Sequence, residues 1–356
     1  AVYLQDEAGK IGDLSKGEIA ALAKQGVDYI DATDDTLRLT VEQAKAIGAV
    51  KFGDTNLVEI SDSVGNVEAL TDAELTKLAK AGLDSIDVGS HQLTLTVAKA
   101  NALTLAHKDA QNNYILDQRI VIDTDADVSI EDSAANIAAL SAREIGYLHD
   151  VGVDAIKVLN TTTVNGVTSV DHLISISLAQ YRALKGVTFD SDSDVTISDT
   201  KDNLKGLTTD DINGLVGAGV DHVNVSDATL DLTFAQANLW PVGVTFTDAH
   251  QVRIVDAGAE ISKLSADQIT VLSVAGVDAI DATNTDSTIT LTTLQAKALG
   301  NGKIIIASDD NVTVAGSADD IKTLLNDVTL KTLGNHGVDK IDVTDAALDL
   351  TAVQAG

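Results

Sequence analysis

Two turns of the chain carry aspartates at alternate positions, an arrangement that can bind a metal ion. The two sets are Asp123, Asp125 and Asp127 in IVIDTDADVSIED, and Asp190, Asp192 and Asp194 in VTFDSDSDVTISD. Alternation in a tight loop places three carboxylates on one side, where a hard cation relieves their repulsion. Calcium suits such a loop because it accepts about six to eight oxygen ligands in irregular geometry. The sequence therefore predicts calcium at these six aspartates.

Other turns carry weaker versions of the same pattern, at Asp54, at Asp248 and at Asp309 with Asp310. The pattern does not match an EF-hand loop, which requires a glycine at the sixth position and a glutamate at the twelfth. Aspartate and serine also favour tight turns without any ion. Both interpretations, calcium site and simple turn, remain open at this point.

Signatures of catalysis are missing from the sequence. The seven histidines are scattered, there is no cysteine, and no HExxH motif occurs. We therefore expect a protein without catalytic activity. One enzymatic alternative is a solenoid polysaccharide lyase, which uses acidic clusters with calcium but needs a basic residue beside them. Arg119 and Arg253 are the candidates for that base.

The charge of the chain is strongly negative. Asp and Glu number 54 against 24 Lys and Arg, which gives a net charge of −30. Such a chain repels nucleic acid and anionic membrane surfaces and attracts cations. Halophilic adaptation is a second explanation for the same balance. No apolar run reaches the length of about 18 residues that a membrane span requires, so we expect no membrane insertion.

A hexapeptide recurs along the chain and shows what positions the acidic turns. Its copies begin at Gly26, Gly82, Gly152, Gly219, Gly276 and Gly337, as GVDYID, GLDSID, GVDAIK, GVDHVN, GVDAID and GVDKID. A fixed period, here about 60 residues, is typical of stacked repeats that complete one another's core.

Each repeat has the same order of local signals. A capping box such as TDAE (71–74) or SARE (141–144) begins a helix, and the glycine of the hexapeptide ends it. The hexapeptide itself predicts a short strand, and after a variable turn a second strand of the LxLT type follows. A helix with Gln and Ala, and two more short strands on either side of the acidic turn, complete the repeat.

These signals predict an α/β fold, an elongated right-handed solenoid of about six repeats of ~60 residues, each made of two coils. The whole chain, 1–356, then forms one array with approximate units 1–61, 62–131, 132–198, 199–255, 256–315 and 316–356, and we expect it to be a fragment of a longer array. A string of small globular α+β units is the rival, although no Pro- or Ser-rich linker separates the repeats. We expect the Val and Ile of each hexapeptide to be buried and stacked on their copies in adjacent repeats: Val153, Ile156, Val277, Ile280, Val338 and Ile341.

An acidic, repetitive chain rich in Asp, Gly, Thr, Val and Ala, with no cysteine, resembles the large surface proteins that Gram-negative bacteria export by type I secretion. These include adhesins and S-layer proteins. The resemblance covers the whole chain and rests on composition and repetition, because the calcium-binding nonapeptide GGxGxDxUx is missing. It implies an extracellular or cell-surface location rich in calcium.

The leading hypothesis is a non-catalytic structural or adhesive protein of a surface layer, fibre or adhesin stalk, stabilised by cations. A module that binds a glycan or a protein is the first alternative, and the polysaccharide lyase is the second. Expected partners are other copies of the chain, meeting end to end, and cell-surface polysaccharide. End-to-end contact is expected because the terminal coils of a solenoid expose unpaired strand edges.

Overall fold

The computed structural model describes residues 1–356 except 35, 54–56, 109–113, 166, 248–249, 284–286, 346 and 356. For residues 105–108 and 114–118 it describes the backbone only. The fold is mixed α/β, with short parallel strands joined by helices. The chain divides into two compact units, one of residues 1–174 with 179–193 and the other of residues 175–178 with 194–356.

Short strands and helices alternate along the chain. The strands up to residue 193 are β1 Tyr3–Asp6, β2 Tyr29–Ala32, β3 Leu37–Leu39, β4 Lys51–Phe52, β5 Val58–Ser61, β6 Ser85–Asp87, β7 Gln92–Leu95, β8 Thr104–Lys108, β9 Tyr114–Arg119, β10 Val121–Ile122, β11 Asp127–Asp132, β12 Ala155–Val158, β13 Asn160–Val164, β14 Val167–Asp171, β15 Leu173–Ile176 and β16 Thr188–Phe189. The strands after it are β17 Asp194–Asp199, β18 His222–Val225, β19 Leu230–Leu232, β20 Thr245–Phe246, β21 Val252–Asp256, β22 Ala279–Ala282, β23 Thr288–Thr292, β24 Ile305–Ile306, β25 Asn311–Gly316 and β26 Lys340–Val343.

Helices fill the connections between the strands. Up to residue 193 they are α1 Ala8–Gly12, α2 Lys16–Leu22 with a 3-10 turn at Ala23–Gln25, α3 Val41–Ala46, α4 Val64–Glu68, α5 Asp72–Ala81, α6 Val97–Leu103, α7 Ala134–Ala138, α8 Ala142–Asp150 and α9 Leu178–Arg182. The later helices are α10 Lys201–Leu204, α11 Thr209–Gly214, α12 Phe234–Asn238, α13 Gly258–Ile261, α14 Ala266–Ala275, α15 Thr293–Asn301, α16 Ala318–Asp327, α17 Leu330–Asn335 and α18 Ala352–Ala355.

The strands fall into four classes according to their place in the repeat. The A-strands come from the hexapeptide and are β2, β6, β12, β18, β22 and β26. The B-strands, of the LxLT type, are β3, β7, β15, β19 and β23. The C-strands precede the acidic turn and are β4, β10, β16, β20 and β24. The D-strands follow that turn or its equivalent and are β1, β5, β11, β17, β21 and β25.

Every complete sheet among the described residues has the order B–D–A–C, with two strands from one repeat and two from the next. The first such sheet is β3-β5-β6-β10 and the second is β7-β11-β12-β16. Neighbouring strands are parallel, and in the first sheet Ile86 lies level with Ile60 on one side and Ile122 on the other. The expectation that hexapeptide strands stack on their own copies is therefore wrong, because each A-strand except β26 lies between a D-strand and a C-strand, and β26 pairs with a D-strand.

The core is aliphatic and lies between the sheets and the helices. Val153, Ile156, Val277 and Ile280 are buried, as expected. Val338 and Ile341 are only half-buried, which corrects the expectation for the last copy of the hexapeptide. That copy forms β26, which is an edge strand of β23-β25-β26 and lacks the C-strand that covers the other A-strands.

The predicted helix boundaries are confirmed at most copies. Full capping boxes form at Ser15, Thr71, Ser141 and Thr208. At Ser265 the hydroxyl caps the helix, but the Gln268 side chain instead donates hydrogen bonds to the carbonyls of Ala237 and Trp240. The glycine that ends each helix adopts the left-handed conformation at all six copies, with φ between 81° and 100°.

The aspartate of each hexapeptide has a structural partner. Its carboxylate accepts a backbone N–H at or beside the start of a D-strand, with the pairs Asp28–Val2, Asp84–Val58, Asp154–Val128, Asp221–Val195, Asp278–Val252 and Asp339–Val312. The N–H groups there would otherwise lack an acceptor. Part of the acidic composition therefore serves to hold the strands together.

The glutamine of the B-to-C helices connects neighbouring helices. Its oxygen accepts the N–H of the capping threonine, and its amide donates to two carbonyls at or just after the end of the short helix that follows the D-strand. In α3, for example, Gln43 donates to Gly12 and Leu14 at 2.7 and 2.8 Å. The same pair of bonds recurs at Gln236 and Gln295. The Gln-Ala signature is therefore a packing signature.

Two antiparallel hairpins interrupt the repeat. One, β8–β9, lies between α6 and the C-strand β10, and the other, β13–β14, lies between the A-strand β12 and the B-strand β15. They account for the longer spacing of the hexapeptides on either side of Gly152. The second hairpin occupies the place that the sequence predicts as a variable turn.

Candidate metal centre

Parallel pairing brings Asp87 beside the first acidic turn. Asp87 ends the A-strand β6, whose neighbour is the C-strand β10, and Ile86 lies level with Ile122. The residue after Ile86 is Asp87 and the residue after Ile122 is Asp123, so two aspartates lie side by side. The N–H of Asp123 donates to the carbonyl of Ile86 at 2.9 Å, which keeps the two in register.

Three carboxylates meet at this position. Asp87, Asp123 and Asp125 each offer one oxygen, and these oxygens all lie within 4.8 Å of one another. Asp87 is half-buried and the other two are exposed. Three carboxylate oxygens at this separation can hold a hard divalent cation, with water completing the coordination.

Short hydrogen bonds orient the three side chains. The N–H of Gly89 donates to Asp87 Oδ1 at 2.7 Å, and the N–H of Thr124 donates to Asp123 Oδ1 at 2.7 Å. The hydroxyl of Ser90 donates to Asp125 Oδ2 at 3.2 Å. These donors offset part of the repulsion between the carboxylates, and they leave the other lone pairs available to a cation.

Asp127, the third aspartate of the same turn, lies outside this group. It is the first residue of the D-strand β11, where it is level with Gln92 and its N–H donates to the carbonyl of His91 at 3.2 Å. The extended backbone that begins at Asp127 leads the chain away from Asp87. Asp123 and Asp125 are thus brought together, whereas Asp127 is replaced in the cluster by Asp87.

The second acidic turn has a different neighbour. In β12, Ile156 lies level with Phe189, so the residue beside Asp190 is Lys157. Lys157 Nζ forms an ion pair with Glu131 at 3.0 Å. This hydrogen-bonded pair raises the pKa of Lys157, and the charges of Asp190 and Asp192 raise it further.

The three aspartates of that turn do not form a common group among the described residues. The N–H of Asp192 donates to Asp190 Oδ1 at 3.0 Å, which closes the turn. Asp194 begins β17 in the second compact unit, and its carboxylate lies 3.3 Å from Nε2 of His222.

Among the weaker turns, Asp54 and Asp248 lie outside the described residues. Asp310 is buried, and its carboxylate accepts the N–H of Ala282 at 3.0 Å. Burial raises the pKa of Asp310, while the hydrogen bond from Ala282 opposes the shift. Asp310 therefore has a structural role, as the hydrogen-bond acceptor for the N–H of the last residue of the A-strand β22.

The last residue of the hexapeptide, rather than the turn alone, determines the charge at each site. In successive copies it is Asp31, Asp87, Lys157, Asn224, Asp281 and Asp342. Asp31 accepts a hydrogen bond from Gln5 at 2.7 Å, and Asp281 pairs with Arg253 at 3.0 Å. Asp87 has a weaker side-chain partner, the hydroxyl of Ser61 at 3.2 Å. The sequence of the acidic turns alone does not point to Asp87. The aspartate that ends the hexapeptide, in the repeated "ID", is the feature of the sequence that could have predicted it.

No family model matches the chain, and no curated protein is similar to it in sequence. None of the helices in the described part of the chain has the length and apolar character needed to cross a bilayer.

The two candidate bases for a lyase are held in ion pairs. Arg119 lies 3.5 Å from Asp150, and Arg253 bridges Asp231 at 2.7 Å and Asp281 at 3.0 Å. Each guanidinium is therefore neutralised by carboxylates other than Asp87, Asp123 and Asp125.

Proposed function

We propose that the chain is a non-catalytic structural or adhesive repeat protein that acts outside the cell, and that each of its compact units is a stack of solenoid coils. The observation that carries this proposal is the composition of the B–D–A–C sheets. Because each four-stranded sheet among the described residues takes two strands from each of two successive repeats, no repeat completes such a sheet alone. Such mutual completion suits a load-bearing array better than a string of separate domains.

The polar groups that recur in the fold serve structure. The hexapeptide aspartates hold strand N–H groups, and the helix glutamines hold helix carbonyls. Polar residues that recur in successive repeats and serve packing favour a structural role, because a catalytic centre requires one particular set of groups at one place in the molecule. The resemblance to exported acidic surface proteins favours an extracellular or cell-surface location.

Calcium stabilisation is part of the proposal, with Asp87, Asp123 and Asp125 as its ligands. The support is their separation of at most 4.8 Å and their exposure to solvent, which leaves room for water ligands. An extracellular site of this kind is expected to bind calcium with a dissociation constant of about 10⁻⁴ to 10⁻³ M. Cation binding to the folded chain alone would raise its melting temperature by mass action.

Thermal unfolding of the full chain in EDTA and in calcium tests the metal proposal. At about 100 times the dissociation constant the gain is about 2.7 kcal/mol, a shift of several degrees. Magnesium is the matched control, because it keeps its water shell and needs near-octahedral ligands. Equal melting temperatures in EDTA and in calcium would contradict the proposed calcium site.

Electron microscopy of the purified chain, with and without calcium, tests the structural role. We expect end-to-end assemblies that grow in calcium, because the edge strands of the incomplete sheets β1-β2-β4 and β23-β25-β26 offer unpaired backbone groups. Discrete single particles at high protein and calcium concentration would argue for an isolated binding module instead.

A further inference from the structure

The hairpin β13–β14 is exposed on both faces. Its register pairs Asn160 with Asp171 and Val164 with Val167. All of its described residues except Asn160 are exposed, including Val164 at 61% and Val167 at 72%. A two-stranded ribbon with no covered face is marginal in water, and three or more strands are needed for stability.

Between Asn160 and Asp171 the same hairpin is uncharged, in a strongly acidic chain. Residues 161–170, TTTVNGVTSV, contain no Asp, Glu, Lys or Arg, whereas 22% of the chain is charged and its net charge is −30. Two copies of the chain repel one another over most of their acidic surface. They meet the least repulsion where this projecting hairpin of one faces the hairpin of the other.

Both outer edges of the hairpin are unpaired within the described residues, since β13 and β14 form a sheet of their own. Exposed edges are usually protected by lysine, by proline or by inward-facing charges. The β13 edge has none of these devices and carries three consecutive threonines, Thr161, Thr162 and Thr163. It is a suitable template for another extended strand.

We propose that β13 pairs antiparallel with β13 of a second copy of this chain, which gives a four-stranded sheet of order β14–β13–β13–β14 about a two-fold axis. The β13 edge is preferred to the β14 edge because β14 ends in Asp171, whereas β13 begins at the neutral Asn160. The inference needs neither calcium nor the proposed structural role.

The register of the hairpin selects the residue at the two-fold axis. Val164 and Val167 are the last pair in the register of the hairpin, and hydrogen-bonded and non-hydrogen-bonded pairs alternate along it. The hydroxyls of Thr163 and Thr168 lie 3.1 Å apart, as in a pair without backbone bonds. Thr161 and Thr163 therefore direct their backbone groups outward, and Thr162 faces its own copy across the axis.

A single cysteine tests this geometry, because the chain contains no cysteine of its own. In EDTA under mild oxidation, Thr162→Cys is expected to form a disulfide-linked dimer. Ser169→Cys, on the opposite strand of the same hairpin, is the matched control and is expected to link far less. Equal linking by both variants, or linking by neither, would overturn the pairing through β13.

Removal of the hairpin tests the interface without a new side chain. In the fourth repeat the A-strand and the B-strand are joined by Ser226-Asp227-Ala228-Thr229 only. Replacing residues 159–172 by this tetrapeptide keeps the helix cap, because Asp227 accepts the N–H of Lys201 as Asn160 accepts that of Ala134. The melting temperature, measured on monomers, is expected to change little.

Sedimentation equilibrium in EDTA reads out the association. The parent chain is expected to form dimers, and the replacement variant to dissociate at least about tenfold more readily. A parent that stays monomeric overturns the proposal, as does a variant that associates like the parent. If the parent is monomeric and binds to a glycan array, and the replacement variant does not bind, then the hairpin binds a glycan and not a second copy of the chain.

Discussion

The two acidic turns, at Asp123 and at Asp190, share the same alternation of aspartates but have opposite electrostatic surroundings. At the first turn Asp87 adds a third carboxylate to Asp123 and Asp125. At the second turn the equivalent position holds Lys157, whose ammonium lies in the field of Asp190 and Asp192. Three neighbouring carboxylates repel one another, and a cation from solution would relieve that repulsion. At the second turn the ammonium of Lys157 already provides a positive charge beside the carboxylates.

The comparison shows that the strand beside an acidic turn determines which charge the turn faces. The residue beside the turn is Asp87 in one repeat and Lys157 in the next, although both turns keep aspartates at alternate positions. We expect such repeats to differ in their response to calcium.

The largest expected effect separates the two turns directly. Changing Asp87, Asp123 and Asp125 together to Asn should abolish the calcium-dependent rise in melting temperature, a loss of several degrees, because the amides cannot neutralise the ion. The matched variant Asp190→Asn with Asp192→Asn should retain the whole rise. Calorimetry with and without calcium measures both, and a calcium response that disappears in the second variant would reverse the assignment.

Replacement of Lys157 by aspartate should give the second acidic turn a calcium response. Lys157→Asp removes the ammonium and adds a third carboxylate beside Asp190 and Asp192. In EDTA the melting temperature should fall by a few degrees, and calcium should restore most of it. Lys157→Gln is the control, since it removes the charge and adds no ligand. If Lys157→Asp shows no greater calcium response than Lys157→Gln, the position beside the turn does not determine metal binding.

The two turns should also respond differently to alkaline pH. The residue beside the first turn is Asp87 and not a lysine, so the calcium-dependent stabilisation there should persist as the pH rises. The pKa of Lys157 is raised in the folded chain, so its contribution is complete below the ordinary lysine value of 10.5 and is lost as the pH rises through the folded value.

Melting curves of the parent and of Lys157→Gln, each with and without calcium, check this contrast from pH 3 to 11. The stability difference between the two proteins should shrink as the pH rises through the alkaline range. A difference that stays constant up to pH 11 would mean that the ammonium of Lys157 contributes no ion-pair stability.

The smallest effect is expected of Asp84→Asn, at a residue three positions before Asp87 in the chain. Burial raises the pKa of Asp84, and the N–H of Val58 donates to its carboxylate at 2.8 Å. Asp84→Asn keeps an acceptor oxygen and removes the buried charge, so stability at neutral pH should change by less than about 0.5 kcal/mol. Asp84→Ala leaves the N–H unpaired and should cost about 1 to 3 kcal/mol.

Denaturant unfolding measures both variants, and Asp84→Asn should keep the calcium response because it removes no ligand. A large loss of that response would show that the cation senses net charge near the turn rather than three particular carboxylates.

Local features of the fold could be predicted from the sequence because the interacting groups lie within a few residues of one another. The hydroxyl of Thr71 and the carboxylate of Glu74 lie one helical turn apart, so TDAE determines its own capping box. Gly82 ends α5 because its left-handed conformation is open to glycine at little cost. The burial of Ile156 and Ile280 follows in the same way from alternation along a short strand.

Only the tertiary structure decided which strands are neighbours, and with that the candidate site. Asp87 and Asp123 come together because β6 and β10 pair in one register, and nothing in either segment alone specifies that register. A second ladder, of β7 with β11, holds Asp127 level with Gln92, and a third sets Lys157 beside Asp190. Local sequence determines which face of a strand is apolar, but several strands with equivalent apolar faces can fill one place in a sheet. The choice among them depends on the packing of the whole repeat.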